Sequence, residues 1–406
     1  MSWDKGITSV SMKRSLQSPV QPHPLLFATS GVALIAVTYG LARLGYGLFL
    51  PAFSAAFPLT PAVSGLLASG ASILYCVSAG VGFRHASLRP RGVAGLAGLS
   101  AALGSLGIAA ASSTPVFVGG VLLAGMGSGF ASPAMVELVR RNADPSARGR
   151  LQSVVNAGTG FGVVLAGALS LVLGEAWRVA WVLVAALAAA STLAVLRLDR
   201  DSGRPGARPA GRQAEPSLVA PSAFHGLARP LGGALVFGAG SAAVWVYGRA
   251  TFEQAGGMSV GLSAGAWMAL GLGGAGAAAV SRWLAGQPIR VTWPLSTLMT
   301  ALATALVGTV PGSLLLAYAA AAAFGLAYMA ATSVLILWAS AVATDSAAGT
   351  SVLFIALVLG QAAGASLTGL LLEEGTAAVA FLVAALACAA SAVVAVPTTA
   401  GTARVR

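Results

Sequence analysis

The residue best suited to binding chemistry is an arginine inside the first long apolar run of the chain. Arg43 lies between Leu25 and Leu50 in a run that carries no other charge. A charge at membrane depth costs roughly 2.5–3.5 kcal/mol on insertion scales, so a chain that keeps one usually turns it toward a cavity and uses it. The alternative is that Arg43 bonds backbone carbonyls or a glutamate of another helix and only locks a gate.

Helical spacing places two tyrosines beside this arginine. Tyr39, Arg43, Tyr46 and Gly47 follow positions i, i+4, i+7 and i+8, which share one face of an α-helix. A guanidinium flanked by two phenol hydroxyls is suited to a carboxylate or another anionic head group. The spacing therefore predicts an anion-binding helix face.

A second arginine lies in the corresponding run of the other half of the chain. Trp245, Arg249 and Glu253 share a face at i, i+4 and i+8, and Arg249 and Glu253 can pair along the helix. One hypothesis makes Arg249 a substrate ligand and Glu253 a titratable group that takes up a proton. The other makes Glu253 a solvated cap near the outer interface.

Glu137 is the second candidate for proton coupling. It lies one turn from Arg140 and Arg141, so it is either an interfacial ion pair at the inner gate or a proton acceptor. All three histidines fall in predicted tails or loops, and no acid lies at mid-depth of a span. Proton coupling therefore rests on analogy.

Neutral hydrogen-bonding side chains complete the set of candidates. They lie in the runs expected to line a cavity: Asn156, Thr159, Tyr328, Thr332, Ser333 and Gln361. Each side chain either binds the substrate or forms a hydrogen bond between two helices.

No cofactor or metal site is predicted. The stretch GLGGAG at 271–276 contains G-x-G-x-x-G, but it lies inside an apolar run and lacks the preceding strand of a dinucleotide site. Metal-ligand spacings and catalytic triads are absent, so the sequence does not indicate an enzyme.

Twelve apolar runs must position these residues. They are predicted at 25–50, 61–83, 92–111, 115–139, 151–173, 177–198, 230–252, 260–281, 293–311, 313–340, 350–372 and 376–397. Each is long enough to cross a bilayer as a helix, since unpaired backbone is not tolerated in lipid. We therefore predict an all-α membrane protein of twelve transmembrane helices in two six-helix bundles.

The remaining chain is predicted to form tails and a linker. The predicted limits are 1–24 for an N-terminal tail, 25–198 for the first bundle, 199–229 for a linker, 230–397 for the second bundle and 398–406 for a C-terminal tail. The linker is rich in Pro, Gly and Arg, as flexible connections are. The loops 143–150 and 343–350 resemble each other, which indicates that the two bundles are related repeats.

The composition and the placement of the charges also indicate a membrane protein. The chain is 57% hydrophobic and 8% charged with a net charge of +12, whereas soluble proteins carry about 25% charged residues. Nearly all arginines follow even-numbered runs or lie in the tails and linker. That bias predicts that both termini lie in the cytoplasm. It also accounts for the net positive charge, so nucleic-acid binding is not needed to explain it.

Several stretches resemble a known family. Twelve spans around a basic central linker, with TYGLARLGYGLFLP at 38–51, LTPAVSGLLAS at 59–69 and GRLQSVVNAGTGFGVVLAG at 149–167, are similar to the major facilitator superfamily and its YbfB/YjiJ-like branch. Two departures stand out. The loop at 82–92 lacks the family's Asp, and the fourth span lacks its usual Arg at 119–129.

The resemblance implies a secondary active transporter of the inner membrane that works by alternating access. With the residues above, we expect it to move a small anionic or amphipathic organic solute as a monomer in the lipid bilayer, with protons as the candidate coupling ion. The alternative is a broad-specificity drug efflux antiporter. A membrane-embedded receptor would need a soluble domain, and a membrane-embedded enzyme would need clustered polar groups at membrane depth. The sequence indicates neither.

Overall fold

The computed structural model describes residues 24–199, 223–343 and 346–395. Within them, twelve helices are long and apolar enough to cross a membrane, which confirms the predicted fold class. In chain order α1 to α12 they are Leu25–Ala56, Pro61–Ala86, Pro90–Ala110, Thr114–Asn142, Arg148–Leu173, Trp177–Leu198, Gly226–Gln254, Val260–Gly286, Ile289–Thr309, Leu314–Val342, Ala348–Glu374 and Ala377–Ala395.

At two of the helix limits that differ from the predicted spans, buried side chains extend the helix across a proline. α1 continues through Pro51 to Ala56, since Phe53 is fully buried in an aromatic cluster beyond that proline. The helix that contains α7 begins at Ala223 rather than at residue 230, because Leu227 is also fully buried. The last seven residues of the predicted linker are therefore helical.

The predicted tails and most of the predicted linker lie outside the described residues. The segments concerned are the N-terminal tail up to residue 23, the linker from 200 to 222 and the C-terminal tail at 398–406. The structure does describe the first residue of the predicted linker, Asp199, and hydrogen bonds hold it in place. Asp199 is buried and accepts hydrogen bonds from Arg91 (3.1 Å) and Asn142 (2.8 Å) at the end of the first bundle.

The two bundles repeat the same helix pairings. α2 packs on α4 and α3 on α6 in the first bundle, and their counterparts α8 on α10 and α9 on α12 in the second. The bundles meet where α2 contacts α11, α5 contacts α8, and the second half of α1 contacts α7. Because the helices alternate in direction, the arginine-rich loops share one end, here called the basic end, and the other is the opposite end.

The middle of α1 is a π-helix. It runs from Ala36 to Arg43, and the N–H of Leu44 closes it by donating to the carbonyl of Tyr39 at 2.9 Å. This wider turn packs closely on α5, where Gly40 meets Gly162. A Cβ at Gly162 would overlap the carbonyl oxygen of Ala36. A π turn is rare and often marks a functional site. Here it ends at Arg43.

We predict that Gly162→Ala lowers stability. The added methyl would overlap α1 backbone, and overpacking of this kind costs typically 1–3 kcal/mol. The control is Gly95→Ala, because a Cβ at Gly95 meets nothing within 4 Å. The thermal unfolding midpoint of the purified protein in detergent should fall for the first variant and stay level or rise for the second. An unchanged midpoint for Gly162→Ala would contradict the described packing.

Candidate functional site

A cavity lies between the two bundles near the middle of the helices. The space that the centre of a water molecule can reach within it is ≈ 50 Å³. Both bundles contribute to its wall: Ala42, Arg43, Leu44, Tyr46, Gly47, Ala68, Ala71, Ser72, Val121, Gly125, Ala242, Trp245, Val246, Gln361 and Ala365. Four of the predicted ligands are in this wall, namely Arg43, Tyr46, Trp245 and Gln361.

Arg43 is held at the cavity by two neutral groups. Its Nη2 donates a hydrogen bond of 3.0 Å to Oε1 of Gln361, which belongs to the other bundle. Its Cζ lies 4.3 Å from the centroid of the Tyr75 ring, a cation–π contact. Among the described residues no carboxylate pairs with Arg43. A guanidinium has five N–H donors, so most of its capacity is available to an anion.

Hydrogen bonds extend from both neighbours of Arg43. Nε2 of Gln361 donates to the hydroxyl of Tyr328 at 3.0 Å, and the hydroxyls of Tyr75 and Tyr39 share a bond of 3.0 Å. Tyr39 and Tyr328 therefore orient the groups that hold Arg43 and lie behind the cavity wall. Their predicted role as direct substrate ligands stays a prediction.

Tyr75 was not among the candidates from the sequence, although it makes the closest ring contact with Arg43. The available signal was a hydroxyl-bearing aromatic residue at mid-depth of the second apolar run. Sequence spacing relates residues of one helix only. Which residue of α2 faces α1 depends on how the two helices are rotated against each other.

Tyr46 closes the cavity on the side of the opposite end. Its hydroxyl donates to the carbonyl of Ser64 at 3.1 Å, and beyond it a second cavity opens whose lining includes Ser64 and Tyr247. The Tyr247 hydroxyl donates across the bundles to the carbonyl of Pro61 at 2.9 Å and lies 3.1 Å from the carbonyl of Ala365. The two tyrosines separate the cavities in this conformation.

Arg249 lies apart from the central cavity. It is 4% exposed and donates to Oε1 of Glu253 (2.8 Å), Oγ of Ser263 (3.0 Å), the carbonyl of Leu48 (2.7 Å) and Oγ of Ser170 (2.8 Å). Leu48 and Ser170 belong to the first bundle. These five residues, the Arg249 cluster, therefore join the bundles at the opposite end. The geometry gives no support to Arg249 as a substrate ligand, because its N–H groups are committed to this cluster.

Glu253 belongs to the cluster and is no solvated cap. Its side chain is 15% exposed and its Oε1 also accepts from the Ser263 hydroxyl at 2.5 Å. At the same end, the carboxylate of Glu373 accepts from the Thr60 hydroxyl (3.1 Å) and the Ala62 N–H (3.0 Å) of the first bundle. Polar contacts thus seal the bundles together at the opposite end.

Two further candidates, Glu137 and Asn156, lie toward the basic end. Glu137 pairs with Arg140 at 2.7 Å, the interfacial ion pair that was the simpler of its two interpretations. Asn156 is exposed, and its Oδ1 accepts a hydrogen bond of 3.0 Å from Gln152. Neither lines the cavity. Their roles in proton coupling and substrate binding stay predictions.

Solved transporter structures share this fold. A bacterial homologue of the lysosomal transporter Spinster aligns at 17% identity with a TM-score of 0.69, covering 92% of this chain and 95% of its own. A D-xylose–proton symporter aligns at 13% identity with a TM-score of 0.75, covering 93% and 99%. The nucleoside transporter NupG aligns at 15% identity with a TM-score of 0.70, covering 91% and 97%.

Sequence comparison gives the family. No curated protein sequence matches the chain significantly. The family model described as Major Facilitator Superfamily matches residues 32–352, which is most of the chain. This family match, together with twelve helices long enough to span a membrane, points to a transporter rather than an enzyme. The chain belongs to the Major Facilitator Superfamily.

Proposed function

We propose that this protein is a secondary active transporter that carries a small organic anion, or an amphipathic solute with an anionic head, by alternating access. The observation that carries the proposal is the guanidinium of Arg43. It is half-buried at a cavity between two bundles and is held by an amide and an aromatic ring instead of a carboxylate.

Charge balance favours an anionic ligand at this site. Removing a cation from water is costly unless a partner of opposite charge is present. Gln361 and Tyr75 offset part of that cost and leave the net charge in place. A carboxylate in the cavity would supply the missing charge through charge-assisted hydrogen bonds, which are stronger than neutral ones.

Alternating access requires a contact between the bundles that can close one end and then break, and the Arg249 cluster supplies such a contact at the opposite end. Rocking one bundle against the other opens the opposite end only after the bonds from Arg249 to Leu48 and Ser170 break. Glu253 holds Arg249 from within its own bundle, so a proton on Glu253 would weaken this hold. Glu253 is therefore the better of the two candidates for proton coupling, and a proton symporter shares the fold.

The remaining assignments belong to the same proposal. The branch of the superfamily is the YbfB/YjiJ-like one, and the protein is a monomer of the inner membrane with both termini in the cytoplasm. The predicted bundle limits, 25–198 and 230–397, stay predictions, and the helix that contains α7 already begins at Ala223. The alternating charge pattern of the loops supports the orientation.

We expect Arg43→Gln to reduce uptake of organic anions by about 10- to 100-fold, because a hydrogen bond to a charged group contributes about 1.5–3 kcal/mol. The assay compares radiolabelled benzoate and cationic drugs in proteoliposomes, with and without an imposed proton gradient. The control is Arg84→Gln at an exposed position near the basic end. Unfolding midpoints of both variants should match the parent protein.

The drug efflux alternative makes a different forecast for the same assay. Cationic drugs would then be transported, and Arg43→Gln would leave their transport intact. That result, together with absent benzoate transport, would overturn the proposed function.

We expect Arg249→Gln to open the opposite end, since an amide cannot replace the hydrogen bonds that the guanidinium makes in both bundles. The measurement is labelling of Ser72→Cys, a cavity position, by a membrane-impermeant thiol reagent applied from that end, with Cys76 and Cys388 replaced by alanine. Labelling should become several-fold faster. Equal rates would show that the Arg249 cluster does not hold the bundles closed.

The matched control for this experiment is Arg178→Gln. Arg178 lies at the same end, and its Nη1 donates to the carbonyls of Ala109 (2.8 Å) and Ala111 (2.7 Å) within one bundle. It does not join the bundles, so its replacement should leave the labelling rate of Ser72→Cys unchanged.

A further inference from the structure

The second cavity, which lies beyond Tyr46 toward the opposite end, is large enough for a small organic molecule. The space that the centre of a water molecule can reach within it is ≈ 340 Å³. Binding sites for small molecules have volumes of about 300–1,000 Å³. Its wall includes Ser54 and Leu59 of the first bundle and Thr251 and Leu372 of the second. A molecule in this cavity would therefore contact both bundles at once.

The hydroxyl of Thr251 is a buried polar group in this wall that lacks a partner. Thr251 is 5% exposed, and its hydroxyl makes no hydrogen bond within the described part of the chain. Most buried serine and threonine hydroxyls that the structure describes donate to a carbonyl of their own helix. Thr300, for example, donates to Ser296 at 2.8 Å. Because buried polar groups are almost always paired, the Thr251 hydroxyl indicates a partner that occupies the cavity.

Accessible surface distinguishes Thr251 from other unpaired hydroxyls. Those of Ser105 and Thr292 are closed off from solvent, and that of Thr251 is not. Ser54 lines the same cavity from the first bundle, where it is half-buried, and its hydroxyl also has no partner among the described residues. Each bundle thus brings a hydroxyl that is available for hydrogen bonding to the cavity.

The charge of the wall limits the ligand to an uncharged molecule. Among the described residues, no charged side chain lines the second cavity. The carboxylates next to it in the sequence are bonded elsewhere, Glu253 to Arg249 and Glu373 to Thr60. An ion in the cavity would lose its water without gaining a counter-charge. The anion proposed for the central cavity is therefore not the ligand of this one.

We propose that the second cavity binds an uncharged solute that carries hydroxyl groups on an apolar body, and that this ligand holds the opposite end closed. Its hydroxyl groups bond Thr251 in one bundle and Ser54 in the other. Its apolar body packs on the leucines of the wall, Leu50, Leu59 and Leu372.

The closing effect follows from the position of the site. The cavity lies outside the barrier that Tyr46 and Tyr247 form, and its two sides belong to different bundles. A ligand that bridges the bundles binds the closed arrangement better than an open one, so it shifts the population toward closure. The binding site itself does not depend on the proposed function, whereas its effect on transport does.

The test uses three compounds that share a phenol ring and differ in the charge of one group. They are 4-hydroxyphenethyl alcohol, which is uncharged, 4-hydroxyphenylacetate, which is an anion, and tyramine, which is a cation at neutral pH. The measurement is protection of Ala377→Cys, a wall position, against a thiol reagent in purified protein with Cys76 and Cys388 replaced by alanine. The alcohol should slow labelling several-fold, and the two ions should not.

A cysteine outside the cavity controls for effects on the reagent. Ala56 is exposed at the same end and lines neither cavity. Labelling of Ala56→Cys should be the same with and without each compound.

Thr251→Val removes the hydroxyl and keeps the shape of the side chain. It should raise the concentration of the alcohol needed for half-protection by about two- to tenfold, the effect of one hydrogen bond, and Ser54→Ala should do the same. Since neither hydroxyl has a protein partner, the unfolding midpoint without ligand should stay level. The matched control is Thr309→Val, because Thr309 lies at the same end and its hydroxyl donates to the carbonyl of Ala305 at 2.8 Å, outside the cavity.

Closure is measured by labelling of Ser72→Cys from the opposite end. At the concentration that half-protects Ala377→Cys, the alcohol should slow this labelling in the parent protein and slow it less in Thr251→Val. The ions should have no effect.

Each failure has its own meaning. If the alcohol does not protect Ala377→Cys, or if Thr251→Val and Ser54→Ala leave its protection unchanged, the cavity holds only water and the site is overturned. Equal protection by the ions would overturn the uncharged class. Protection without slower labelling of Ser72→Cys would overturn the closing role. None of these results bears on Arg43, whose test is the uptake of benzoate, so this proposal and the proposed function can fail separately.

Discussion

The energetic cost of holding one guanidinium in a protein surrounded by hydrocarbon constrains the centre of this structure. A charge at that depth needs polar or aromatic partners on several sides. Arg43 obtains them from two other helices, an amide of α11 and a tyrosine ring of α2. Each of these partners is fixed in turn by a tyrosine hydroxyl, so the charge organises a connected set of polar groups across both bundles.

The contact between Arg43 and Gln361 crosses the interface between the two bundles. In the proposed alternating access, such a bond would have to lengthen or be replaced, while the cation–π contact with Tyr75 stays within one bundle. The proposed anionic substrate would keep Arg43 neutralised through that change. The same interface is tied at the opposite end by Arg249, which is fully engaged with protein partners. Arg43 thus has few protein partners, whereas Arg249 serves the contact between the bundles.

The helices and the charged candidates could be predicted from the sequence because hydropathy and helical spacing report on one helix at a time. The pairing of Arg249 with Glu253 is such a local feature, and the structure shows it at 2.8 Å. Tyr75 and the carbonyl of Leu48 could not be found in that way, since their roles depend on the rotation and contact of separate helices. The sequence likewise predicts similar roles for Arg43 and Arg249, which the structure places in different surroundings. Similar positions along two helices do not imply similar surroundings.

The π turn before Arg43 makes the number of residues in α1 important as well as their identity. A π turn holds one more residue than the α turn it replaces. Deleting one residue from a regular α-helix rotates everything on one side of the deletion by about 100° relative to the other. Between Ala36 and Arg43 the wider turn holds the extra residue locally, so a deletion there can be taken up by a return to α geometry. A change of length in the regular parts of α1 should therefore be far less tolerated than a single deletion within the π turn.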